Sequence, residues 1–174
     1  MTSRRLNLPR RAGTTPADAV VWQSRQPERL VGIGFRCCIK GFTTSDATCW
    51  REAATAYASA LGNDKARALL GDLTQFVLAI SATSERAIEV QPPACRGFCR
   101  DECLAISIIA AAQHQSREAL CASACALLGS DDIGTTLNSA QTFACGLKSV
   151  HQVLALESVC PAACAFQLRP QRLV

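Results

Sequence analysis

Eleven cysteines and two histidines carry the chemistry that this 174-residue sequence offers. Cys95, Cys99 and Cys103 follow one another at four-residue steps, and the same step separates Cys121 from Cys125 and Cys160 from Cys164. On an α-helix that step returns to the same face, about 5.4 Å further along the axis. Two sulfurs so placed are able to bridge or chelate a soft ion, and thiolates select Cu(I) and Zn(II). The expected metal ligands are therefore Cys95, Cys99, Cys103, Cys121, Cys125, Cys160 and Cys164, with His114 as an added donor. The competing reading is packing: a free cysteine behaves as a small buried hydrophobe. For Cys37, Cys38, Cys49 and Cys145 the sequence assigns no role; the vicinal pair Cys37-Cys38 would close only a strained ring.

Other chemistries lack their motifs. There is no C-x-x-C pair, no phosphate-binding glycine loop, no H-E-x-x-H and no Glu-x-x-His pair of the di-iron bundles. The chain is accordingly read as non-enzymatic. Arg100-Asp101-Glu102 reads as a salt-bridged helix surface. The odd cysteine count cannot close wholly into intramolecular disulfides, and the chain is long enough to bury a core without them. The N-terminus lacks the apolar run of about 7 to 15 residues that a secretory signal needs, so a soluble, cytoplasmic protein with reduced thiols is expected. The longest apolar run, Leu104 to Ala112, is too short to span a membrane.

The elements that must position these thiols read as helices. Residues 1–40 hold eight Lys/Arg against two acids, and the remainder is slightly acidic. Residues 1–30 are expected to be a flexible basic tail; without an aromatic-studded basic surface, nucleic acid is not an expected partner. Val31 to Lys40 reads as an ordered lead-in, strand-like over Val31 to Phe35. Thr44-Ser45-Asp46 offers N-caps for a helix closed by Gly62. Asn63-Asp64 opens a second helix whose stripe Leu69, Leu73, Phe76, Val77, Ile80 has the helical period and runs to about Val90, before Pro92-Pro93. A buried helix carrying Cys95, Cys99 and Cys103 on one stripe follows, apolar all round from Leu104 to Ala112. A break near Gln113 to Ser116 precedes a helix with Cys121 and Cys125 that ends at Gly129. The last helix opens at Ser130-Asp131-Asp132 and runs to Leu154, with His151 near the centre of its buried face and Cys145 opposite. The fold class is all-α, an antiparallel four- or five-helix bundle with a disordered basic N-terminal tail; residues 31–166 form one cysteine-rich domain and 167–174 a C-terminal tail.

From Ala94 to Cys164 the spacing and helical character resemble the cysteine-rich four-helix-bundle copper storage proteins. The resemblance implies C-x-x-x-C pairs projecting into a bundle lumen that holds Cu(I) ions. The second helix has no cysteine, the first only Cys49, and Met1 is the sole methionine, which leaves room for a smaller cluster at one end. Two functions are expected in competition. One is soft-metal binding by thiolates, for storage or handling of Cu(I) or Zn(II). The other is a non-catalytic helical interaction or scaffold protein with cysteines buried in its core, meeting a protein partner or a second copy of itself through the basic tail or the face that carries Cys145.

Overall fold

A computed structural model describes residues 25–159. The described residues are all-helical: α1 (Gln26–Thr44), α2 (Ala47–Leu61), α3 (Asn63–Thr83), α4 (Arg100–Gln113), α5 (Arg117–Leu128), α6 (Gly134–Ser149) and a 3-10 turn at Leu156–Ser158. That is six helices among the described residues, where the sequence suggests four or five. The additional one is α1, and it occupies the stretch read as a strand-like lead-in. Pro27 opens α1, where a missing N–H costs nothing. The helix thus begins at Gln26, and Glu28 and Leu30 are already buried.

Gly32 and Gly34 look like turn residues in sequence, but their use is close approach. A Cβ on Gly32 would collide with the Phe98 ring, and one on Gly34 would stand 2.6 Å from a Leu73 methyl and 2.7 Å from the Tyr57 hydroxyl. Tyr57 Oη in turn donates to the Leu30 carbonyl, 3.0 Å away. Ser45, in the left-handed conformation, and Asp46, whose carboxylate accepts from Thr48 N at 2.8 Å, turn the chain sharply into α2. Helices α1 and α2 therefore pack antiparallel, and α3 packs on α2 after a connection of one residue, Gly62.

Helix α4 is the centre, as its all-round apolar character requires: every residue from Leu104 to Ala112 is buried. It packs against α1, α5, α6 and the 3-10 turn, while α6 also lies along α3. Phe35, Phe76 and Phe143 carry the core from α1 through α3 to α6, with ring centroids 6.5 Å apart at each step. The break after Gln113 and the αL glycine at Gly129 fall where sequence places them.

Three boundaries differ. Helix α3 stops at Thr83 and not near Val90, because the backbone N–H groups of Glu85, Glu89 and Gln91 donate to the Leu128 carbonyl and the Asp101 and Glu102 carboxylates of other helices. Helix α4 begins only at Arg100. Helix α6 ends at Ser149, so His151 lies beyond it, exposed, with φ +61°, and not on a buried helical face.

Candidate functional site

The expected stripe of Cys95, Cys99 and Cys103 is not a helical stripe. Cys95 sits in a turn, its N–H donating to the Pro92 carbonyl at 2.9 Å. Cys99 is the N-cap of α4; its thiol donates to the Glu89 carbonyl at 3.1 Å, and Glu102 Oε2 accepts its backbone N–H at 2.7 Å. Only Cys103 lies within the helix, half-buried in its first turn. The reason is competition. A capping box and tertiary contacts from residues 84–99 satisfy the start of α4 better than another helical turn through Gly97.

His114 is the C-cap of α4, with Nε2 2.8 Å from the Leu154 carbonyl. Eleven residues of helix, about 16 Å, separate it from Cys103. One ion cannot bind both. Cys121 and Cys125 do share a face of α5, both half-buried. Burial, then Asp131 and Cys121, push the Cys125 thiol up. Cys160 and Cys164 lie outside the described residues. Among the described residues no three His, Cys, Asp or Glu side chains are grouped to hold a metal ion.

Three of the four cysteines with no assigned role are the most buried of the described cysteines. Cys37 and Cys38 on α1 and Cys49 on α2 are at most 4% exposed. Desolvation raises Cys37 to about 11, with Glu52 and Cys49 adding to it, and raises Cys38 to about 12. Burial and the nearby Asp46 and Glu52 carboxylates push Cys49 up as well. These three are protonated core thiols at neutral pH. Cys145, by contrast, is exposed on the outer side of α6, as its helical position predicts.

Asp101 and Glu102, read as surface acids, are 2% and 0% exposed. Glu102 pairs with Arg36 at 2.6 Å, and Arg36 also donates to the carbonyls of Cys95 at 2.7 Å and Gly97 at 2.6 Å. Its guanidinium lies 5.4 Å from the Phe98 ring centroid. Arg86 pairs with Asp101 at 2.8 Å and donates to the Leu127 carbonyl at 2.7 Å, while Glu89 N donates to Asp101 at 2.9 Å. Residues 84–99 are thus a strap tied to α4 by the Arg86–Asp101 ion pair, to α1 by the hydrogen bonds from Arg36 to the Cys95 and Gly97 carbonyls, and to α5 by the hydrogen bond from Arg86 to the Leu127 carbonyl. No local signal marks this: the pairing of Arg36 with Glu102 spans 66 residues.

Beside the strap, α1 and α2 leave a groove. Two cavities of about 760 Å³ each share Arg29, Ile33 and Glu52. One runs along the outer ridge of α2 from Thr48 through Arg51 and Thr55 to Ala60. The other passes Cys37 and ends against Cys95 and Arg96 of the strap. Leu30, Ile33, Ala56 and Ala60 supply apolar surface, and Arg29, Arg51 and Arg96 are exposed along it. The chain matches no family model, no curated protein and no solved structure. Among the described residues no helix is long and apolar enough to cross a membrane.

Proposed function

We propose that this chain is a non-catalytic helical interaction protein that presents the α1–α2 groove to a protein partner, with most of its cysteines serving as core and boundary residues. The observation that carries this reading is the groove itself. Helix α2 is packed on α1 and α3, and its outer ridge is left open beside Arg29 and Arg51, with Arg96 in the adjoining cavity. The protonated, buried state of Cys37, Cys38 and Cys49 supports the second half of the reading. A photo-crosslinking amino acid at Thr55, in the groove, tests it against the same residue at Gln75, on exposed α3 surface. A discrete product from Thr55 that Ser59→Trp abolishes is expected. No product, or equal products from both positions, overturns the proposal.

Soft-metal binding is the second reading, favoured by one observation: Cys121 and Cys125 stand one turn apart on α5, half-exposed and near enough to influence each other electrostatically. Two thiolates suffice for Cu(I), a soft ion. Elemental analysis of reductively purified protein grown with copper or zinc decides it. Metal lost on replacing Cys121 and Cys125 by serine supports the site; the same trace in both proteins removes it.

A further inference from the structure

We infer that the α1–α2 groove takes an acidic amphipathic helix of a partner protein, its apolar face on Ile33 and Ala56 and its carboxylates on Arg29, Arg51 and Arg96. This rests on the interaction reading above and names the partner's chemistry. The shape comes first. The open ridge of α2 from Thr48 to Ala60 is about 18 Å long at the helical rise, the length of a three-turn helix. Two antiparallel helices with small residues at the crest form a trough that a third helix fills, the helix-in-groove mode of recognition.

Charge then selects the occupant. Arg29, Arg51 and Arg96 form no salt bridge to any described carboxylate. Arg51 acts on Asp46 across the start of α2, and Glu52 is the single acid in the groove. Arg36 is already neutralised by Glu102. The lining is therefore net positive. Residues 1–24 hold four arginines against Asp18, and residues 160–174 hold Arg169 and Arg172 with no acid, so both flanking segments carry the sign of the groove and not its complement.

A nucleic acid fits less well. The floor is aliphatic, and the one aromatic ring lining the groove, Phe98, is covered by Arg36, which leaves no free platform for a base. An acidic helix instead satisfies the arginines at the rim and buries apolar surface at the floor, the arrangement that gives an interface both on-rate and specificity.

The test uses the full chain and a panel of labelled 14-residue amphipathic helical peptides that differ in their apolar residues. One set carries glutamates on the polar face, and a matched set carries lysines. Fluorescence anisotropy is read at low and at physiological salt. A saturable acidic member is expected, weakened about tenfold or more by Arg51→Glu or Arg29→Glu, each charge reversal costing on the order of a tenfold step or more at a contacting rim. The Arg29→Glu/Arg51→Glu protein should in turn gain binding to the lysine set. Both sites are exposed, and an unchanged thermal melt verifies that the variants are folded. Binding by no acidic peptide, equal binding by the lysine set, or tighter binding of a single-stranded oligonucleotide overturns the inference. If the Thr55 crosslink persists while every acidic peptide fails, the interaction reading stands and the acidic occupant falls; if both fail, both fall.

Discussion

Arg36 and Glu102 show how much one buried pair can organise. Neither charge reaches solvent, and between them they accept or donate hydrogen bonds at Gln91, Cys95, Gly97 and Cys99. A pair of this kind adds little over an apolar substitute, but breaking it strands a charge in the interior. Glu102→Gln keeps the shape and removes the compensation, so it should cost about 3–5 kcal/mol and lower Tm by roughly 10 °C, read by calorimetry. A shift of a degree or two would mean that Arg36 finds water and that the pair does not hold the strap. The sequence hides this pair for a physical reason. Charges read locally default to the surface, and only a partner far away in the chain makes burial affordable. The stripe of Cys95, Cys99 and Cys103 fails in the same way, since a four-residue step fixes a common face only if the helix runs through it, as it does at Cys121 and Cys125, and the N-cap at Cys99 marks where α4 starts.

Helices α2 to α6 were legible because each has an amphipathic or all-apolar period that its caps punctuate. Helix α1 was not, because glycine lowers helix propensity and reads as a turn. Position decides what such a glycine is for. Gly34→Ala places a methyl against Leu73 and Tyr57 and should destabilise the protein in spite of the better helix former. Gly71→Ala, on the exposed side of α3 with nothing within 4 Å of the new Cβ, should stabilise it by up to about 1 kcal/mol. Urea titration of the two variants separates these effects. If Gly34→Ala is also stabilising, the close approach of α1 to α2 and α3 is wrong. The extended strap had no legible signature either, since its hydrogen bonds end on other elements.

At the scale of the whole molecule the buried thiols set an alkaline limit. Cys37 and Cys38 are raised from the ordinary value of 9.0 to about 11 and about 12, and burial pushes Tyr57 well up too. The unfolded chain loses these protons first. Their contribution is therefore intact below pH 9 and is lost as pH rises through the folded values. Tm should fall steeply between pH 9 and 11, and Cys38→Ala should flatten that fall while lowering Tm at pH 7. A pH-independent Tm over that range would place these thiols in water. The strap has a consequence in time as well as in space. Its ties end on α1, on α4 and at the close of α5, so they cannot form until those helices have met. Contacts that arrive after the rate-limiting assembly slow escape and not formation. The strap should thus act as a latch on the unfolding rate: Arg86→Ala should speed unfolding and leave the refolding rate unchanged in stopped-flow measurements, and a slower refolding limb would place the strap in the rate-limiting assembly.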